Sequence, residues 1–161
     1  MCGSDEGIAS PDVPSREVLG TTDSPDVLEV LMEADRPQEI LETLCQFADG
    51  HTEDEKARYV FRLICDEFLE NIASYAYTSG NGPVYAVADA RDGLRVILMD
   101  KGVPFNPLTD AKVPDLTVPL EEREVGGCGI LISRKFAKRL EYRRIDDWNV
   151  TIAVIIEGSE D

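Results

Sequence analysis

Apolar residues recur at helical spacing after the first strand-like segment of the chain. From Pro37 onward, Ile40, Leu44 and Phe47 follow one another every three or four residues, as on the buried face of an amphipathic helix. A proline in the first turn and a glycine at the end are typical of helix boundaries. The pattern therefore predicts a helix from Pro37 to Gly50.

A second, longer apolar stripe predicts a helix over about residues 53–78. Thr52 is its predicted N-cap, and Glu55 three residues later completes a capping box. Asn71 projects into the apolar stripe, and Glu67, one turn earlier, lies at its margin. Polar groups on a core-facing side are costly unless they have partners. Asn71 and Glu67 are therefore candidates for a functional site.

Five segments have the composition or alternation of β-strands. The third, residues 94–101, places Leu94, Val96, Leu98 and Asp100 on one face, because side chains two apart point the same way. Asp100 therefore points toward the core. In the last strand, the same alternation predicts that the face beginning at Val150 is core. The predicted strands are 27–34, 84–89, 94–101, 141–145 and 149–156.

The element order is β-α-α-β-β, a long loop, then α-β-β, with the last helix beginning at about residue 130. This order favours an α+β fold, a two-layer sandwich with helices on one face of a mixed, mostly antiparallel sheet. The loop over 106–125 has the length of a lid or binding loop. Residues 1–24 are acidic and rich in Gly, Ser and Pro, which predicts a disordered tail before one domain over 25–161.

The charge of the chain excludes some partners. The 161 residues include 32 acidic and 16 basic side chains, for a net charge of −16. Nucleic acid and anionic membranes require a basic footprint, so we expect neither as a partner. The sequence has no run of about 18 apolar residues and no signal peptide. Its four cysteines form no CxxC pair, so we expect a cytoplasmic protein with reduced thiols.

Three polar features become coherent if they form one nucleotide site. Each is weak alone, since a buried Asn, an Asp at a strand end and a glycine-rich connection all have ordinary structural explanations. Asn71 offers an oxygen to Mg²⁺, and Glu67 can take a proton from an attacking hydroxyl. Asp100 can accept from an exocyclic amine, and Gly102 leaves space beside a flat base. The glycines of 126–129 precede a helix, whose N-terminus suits phosphates.

At these positions the sequence resembles the Bergerat-fold (GHKL) ATPases, the superfamily that includes gyrase B and the sensor histidine kinases. Residues 67–77 resemble the N box of that superfamily, residues 100–107 its first glycine box, and residues 126–130 its second. The Ala-Tyr ending of the N box and the Pro-Phe-x-Pro after the first glycine box are most similar to bacterial anti-sigma-factor serine kinases. The resemblance covers about residues 25–157.

The resemblance implies a role for each matched residue. Asn71 would bind Mg²⁺, Glu67 would be the general base, and Asp100 would accept from the adenine amine beside Gly102. Residues 106–125 would be the ATP lid. The other implied ATP-binding residues are Tyr75, Pro104, Phe105, Gly126, Gly127, Cys128, Gly129 and Ile130, with Thr151 at the adenine end.

The leading hypothesis is therefore a protein serine/threonine kinase with ATP and Mg²⁺. By resemblance, it would phosphorylate a STAS-domain anti-sigma antagonist, sequester an RNA polymerase sigma factor and form a homodimer. The acidic surface would suit a basic partner. A nucleotide-dependent binding module without kinase activity is the alternative. The catalytic half of a sensor histidine kinase is disfavoured, because the one histidine, His51, has too few residues before it for a dimerising hairpin and a sensor.

Overall fold

The computed structural model describes residues 13–78, 81–110, 117–119, 121 and 128–157. Its helices are α1 (Arg16–Leu19), α2 (Pro37–His51), α3 (Glu55–Asn71) and α4 (Cys128–Phe136), and α3 continues into a π-helical turn at Ile72–Ala76, here called the π-turn. Its strands are β1 (Val27–Glu33), β2 (Pro83–Asp89), β3 (Gly93–Asp100), β4 (Arg139–Ile145) and β5 (Trp148–Glu157). In the described part of the chain, no helix is long and apolar enough to cross a bilayer.

The strands form one sheet in the order β1-β2-β3-β5-β4. Each of the four strand pairings is antiparallel, where the sequence favoured a mixed, mostly antiparallel sheet. In the pairing of β3 with β5, Asp100 lies opposite Asn149 and Leu98 opposite Thr151. The α+β prediction is confirmed, and this register brings two polar side chains together at one end of the sheet.

The main core lies between the helices and one face of the sheet. Leu94, Val96 and Leu98 of β3 belong to this core together with Phe61 and Ile64 of α3. Because the next residue on that face is Asp100, its carboxyl group is carried toward the helices, as the alternation predicted. The predicted helical stripe of α3 is buried there as well.

The opposite face of the sheet is also apolar, and this changes the prediction for β5. Val150 and Ile152 lie in a second cluster with Leu19 and Trp148, whereas Ala153 lies in the core under the helices. The prediction that the Val150 face is core is therefore confirmed at Val150, but the cluster that buries it lies on the side of the sheet away from the helices. Both faces of β5 carry apolar residues, so alternation alone does not say which face the helices cover.

The second cluster also changes the predicted extent of the N-terminal tail. Within residues 1–24, α1 buries Leu19 against the outer face of the sheet. Ser15 caps α1 by accepting from the Val18 N–H, and Gly20 ends it with a left-handed φ of 71°. Residues 13–24 thus pack on the domain, because one large apolar side chain and two helix caps order them. Residues 1–12 lie outside the described residues.

The predicted boundary between the two long helices is displaced by two residues. Asp54 caps α3, since its carboxylate accepts from the N–H groups of Lys56 at 3.0 Å and Ala57 at 3.2 Å. Thr52, the predicted N-cap, instead follows the end of α2, and its N–H donates to the Ala48 carbonyl. The predicted helix over 53–78 ends at Asn71 and widens into the π-turn, where such irregularities often accompany functional sites.

Candidate functional site

A cleft opens where α3 and the π-turn face the ends of β3 and β5. It brings together four of the residues predicted from the sequence: Asn71, Asp100, Phe105 and Thr151. Residues that were not predicted complete its walls: Phe68, Ile72, Ala76, Pro107 and Asn149. The cleft thus combines an apolar lining with a few polar groups, which is typical of small-molecule sites.

Asp100 lines the cleft and is 5% exposed. Its Oδ1 accepts from the N–H of Gly102 and from Nδ2 of Asn149, each at 2.9 Å. Burial raises the pKa of Asp100, while these two hydrogen bonds and the positive charge of Arg144 oppose the rise. Both of these hydrogen bonds fall on Oδ1, and no described residue donates a hydrogen bond to Oδ2.

Asn149 is the polar residue among those cleft-lining residues that were not predicted from the sequence. It is buried near the start of β5, and Tyr142 of the neighbouring strand donates its hydroxyl to the Asn149 Oδ1. Arg144 on the same face of β4 donates to the Gly102 carbonyl at 3.0 Å. The signal in the sequence was an Asn between Trp148 and Val150, a polar residue within an apolar strand.

Gly102 has a different neighbour from the one predicted. A Cβ atom there would lie 2.2 Å from the carbonyl oxygen of Ala76, and the Val103 N–H donates to that same oxygen at 3.0 Å. The missing side chain thus admits the backbone of the π-turn, where the sequence suggested a flat base. This close approach requires a glycine, and the contact of Gly102 with a base stays a prediction.

Tyr77 connects the end of the π-turn to the sheet through two hydrogen bonds. Its hydroxyl accepts from the Lys101 N–H at 2.7 Å and donates to the Pro83 carbonyl at 2.6 Å. Burial raises the pKa of Tyr77 to about 12, so the phenol remains a donor at neutral pH. The loop after Asp100 is therefore held on one side by the Tyr77 hydroxyl and on the other by Asn149.

Asn71 and Glu67 lie one turn apart at the end of α3. The Nδ2 atom of Asn71 is buried and has no hydrogen-bond partner among the described residues, which is unusual for a buried amide. Burial raises the pKa of Glu67, with a further rise from the charge of Asp66, while the Asn71 amide opposes it. The Asn71 amide and a carboxyl group with a raised pKa thus lie next to each other, although Glu67 itself does not line the cleft.

The donor set fits a Mg²⁺ ion that arrives with phosphates. In the described part of the chain, no three His, Cys, Asp or Glu side chains converge on a point. Mg²⁺ commonly binds one or two protein oxygens and completes its shell with water and substrate phosphates. The amide of Asn71, whose NH₂ group has no partner, can present its oxygen to such an ion.

The remaining predicted residues are distributed around the cleft. Tyr75 is half exposed and stacks on Phe105 with ring centroids 5.4 Å apart. Pro104 is exposed. Ile130 is fully buried in the main core, near the start of α4, so the structure places it in packing contacts. Cys128 and Gly129 form the first turn of α4.

Part of the predicted phosphate site lies outside the described residues. This applies to Gly126 and Gly127 and to most of the predicted lid, of which the structure describes 106–110, 117–119 and 121. The open volume of the cleft is about 20 Å³, which suits a single water molecule. A nucleotide therefore requires displacement of the side chains that close the cleft, among them Phe105.

Comparison with known proteins identifies the family of the chain and a related protein. The model of the histidine kinase-like ATPase domain matches residues 32–155, which include every cleft-lining residue. The serine/threonine-protein kinase BtrW of Bordetella bronchiseptica is 30% identical over 126 residues, covering 77% of this chain and 88% of that protein. The resemblance to the Bergerat-fold ATPases and to their serine-protein kinases is thereby confirmed.

Proposed function

Because the chain belongs to the family of histidine kinase-like ATPase domains, we propose that it is an ATP-dependent protein serine/threonine kinase. We further propose that it is an anti-sigma factor, which phosphorylates a STAS-domain antagonist and sequesters a sigma factor as a homodimer. The family membership gives the nucleotide-binding domain, and the name of the similar protein supports the kinase activity. The Pro-Phe-x-Pro segment after Asp100 supports the anti-sigma assignment.

The observation that carries the kinase proposal is the pairing of Glu67 with Asn71. A module that only binds nucleotide needs an acceptor for the base and contacts for the phosphates. It has no need of a partly buried carboxylate with a raised pKa one helical turn from a buried amide nitrogen. A general base works best when its pKa approaches the working pH, and burial shifts Glu67 in that direction.

Different residues of the cleft would contact the base of ATP and the Mg²⁺ ion. Asp100 would accept from the exocyclic amine of adenine through Oδ2, because Oδ1 is already occupied by Gly102 and Asn149. Thr151 lies on the same face of β5 as Asn149, and it would contact the same end of the base as Asp100. Asn71 would hold Mg²⁺, and the bound ion would neutralise phosphate charge during transfer.

The proposed reaction moves one phosphoryl group between two oxygens. Glu67 would accept the proton of the substrate protein's hydroxyl, and that oxygen would form a bond to the γ-phosphorus as the bond to the β-γ bridging oxygen breaks. The products are ADP and a phosphoprotein, and the proton resides on Glu67 until it passes to water. Positioning and charge neutralisation would supply most of the rate enhancement.

The test uses purified protein with γ-labelled ATP, Mg²⁺ and the STAS-domain proteins of the same genome. We expect label on one of these proteins, and we expect Glu67→Gln to reduce the rate at least 100-fold. Glu70→Gln is the matched control, because Glu70 is an exposed carboxylate one turn from the same site. Equal rates for Glu67→Gln and Glu70→Gln would contradict the assignment of the base.

A nucleotide-dependent binding module is the second candidate. One observation favours it: Glu67 is not among the residues that line the cleft. Calorimetric titration with ATP and ADP, together with a turnover assay, separates the two functions. Binding of both nucleotides without turnover in the presence of every STAS-domain partner would support the module.

A further inference from the structure

Asn149 is a buried side chain whose hydrogen-bonding capacity is fully used. Its Nδ2 donates to Asp100 Oδ1 and to the Val103 carbonyl, both at 2.9 Å. Its Oδ1 accepts from the Phe105 N–H at 3.2 Å and from the Tyr142 hydroxyl. An amide offers two donors and one oxygen with two lone pairs. Rotating the amide by 180° would oppose the contacts with Asp100, Val103 and Phe105, so Asn149 has one orientation.

This orientation determines how Asp100 faces the cleft. The Asn149 donor and the Gly102 N–H both occupy Oδ1. The described residues give Oδ2 no hydrogen bond, so it remains an acceptor for a ligand. Asn149 also opposes the rise in the pKa of Asp100 that burial causes. A residue on the neighbouring strand thus sets the orientation of the carboxyl group and stabilises its ionised form.

This arrangement can distinguish adenine from guanine. Adenine presents an amine, a donor, at the ring position where guanine presents a carbonyl, an acceptor. A fixed carboxylate oxygen therefore attracts the first base and repels the second. A buried polar group that is left unpaired by the wrong ligand gives strong discrimination.

We propose that Asn149 is a positioning residue that determines base specificity, because it holds Asp100 with Oδ2 presented as the acceptor for an exocyclic amine. Asn149 itself touches Asp100 and lines the cleft, and Tyr142 keeps it in place from β4. The proposal rests on the proposed function, since it assumes that the cleft binds ATP.

The sharpest variant is Asn149→Asp. It has nearly the same shape and keeps an oxygen for the Phe105 N–H and the Tyr142 hydroxyl, but it replaces the donor to Asp100 with an acceptor. Tyr142→Phe is a milder second variant, which removes one support of the Asn149 oxygen. Asn81→Ala is the control, because Asn81 also forms side-chain hydrogen bonds but lies on the exposed surface away from the cleft.

The experiment is calorimetric titration of each variant with ATP and with GTP in Mg²⁺, with thermal unfolding measured in parallel. We expect Asn149→Asp to weaken ATP binding roughly tenfold and to reduce the preference for ATP over GTP by a similar factor, the effect of one hydrogen bond to a charged group. Asn81→Ala should leave the affinity for ATP and the preference for ATP over GTP unchanged.

The outcomes separate this inference from the proposed function. A merely structural role would weaken both nucleotides equally, so a folded Asn149→Asp protein with an unchanged ATP-to-GTP ratio would overturn the inference. If Asn149→Asp does not fold, the same titrations are made with Tyr142→Phe. We expect its preference for ATP over GTP to fall two- to threefold, and an unchanged preference would overturn the inference. A wild-type protein that binds no ATP would overturn the proposed function, and this inference with it.

Discussion

Replacing Gly102 with alanine tests whether the π-turn or a ligand occupies the space beside the loop after Asp100. The new Cβ would lie 2.2 Å from the Ala76 carbonyl oxygen and 2.6 Å from its carbon. These atoms belong to the backbone, so no side-chain rotation relieves the overlap. Overpacking of a well-packed region costs about 1–3 kcal/mol, and we expect the upper end of that range.

The overlap also removes a hydrogen bond. Separation of the two segments would break the 3.0 Å bond from the Val103 N–H to Ala76, a further loss of about 1 kcal/mol. The total is about 3–4 kcal/mol. At roughly 2–4 °C for each kcal/mol in a domain of this size, Gly102→Ala should lower the melting temperature by about 6–16 °C without nucleotide.

Gly50→Ala provides the matched control. A Cβ at Gly50 would have no neighbour within 4 Å, and Gly50 lies in the last turn of α2. The same substitution there should stabilise the protein by about 0.5–1 kcal/mol, because alanine favours helix. Thermal and urea unfolding followed by circular dichroism measure both variants. A Gly102→Ala protein that melts like the wild type but no longer binds ATP would refute the contact with Ala76.

Two further predictions follow from the charged residues. Because burial raises the folded-state pKa of Glu67, its contribution to stability is present below its unfolded-state pKa and is lost as the pH rises through the folded value. At pH 7 the Glu67→Gln protein should therefore have a slightly higher melting temperature than the wild type. The rate of phosphoryl transfer by the wild type should fall on acidification, and the midpoint of that fall should lie at a higher pH than the pKa of an unperturbed glutamate. Burial alone would raise the pKa of Asp89, but hydrogen bonds from Arg91 and Arg95 lower it to about 2. Asp89→Asn should cost about 1–3 kcal/mol in urea unfolding at pH 7, with the difference from wild type shrinking as the pH falls toward 2. A constant difference across that pH range would contradict the ion pairs.

The sequence predicted those parts of the fold that periodicity controls. The spacing of apolar residues gave the two long helices, and alternation along β3 placed Asp100 on the helix side. Alternation identified Val150 of β5 as core but did not say which face the helices cover, because Val150 and Ala153 are buried on opposite faces of the sheet. Alternation of apolar and polar residues shows which face of a strand packs against the helices only when the other face is exposed to water.

The candidate site was predictable only in part, for a similar reason. Asn71 and Asp100 were visible as polar residues on apolar faces. The contact of Gly102 with Ala76 and the contacts of Asn149 with Asp100 join segments that are far apart in sequence. They depend on the register of β3 with β5 and on the path of the π-turn, neither of which local spacing determines.

The central claim is that the cleft around Asp100 binds the adenine of ATP. Calorimetric titration of the wild-type protein and of Asp100→Asn with ATP and Mg²⁺ tests it directly. The variant can keep its oxygen toward Gly102 and Asn149, so that an NH₂ group replaces Oδ2. Loss of a hydrogen bond worth about 1.5–3 kcal/mol predicts that ATP binding weakens about 10- to 150-fold while the melting temperature is maintained. Equal affinity of the two proteins for ATP, or no binding by the wild type, would contradict the claim.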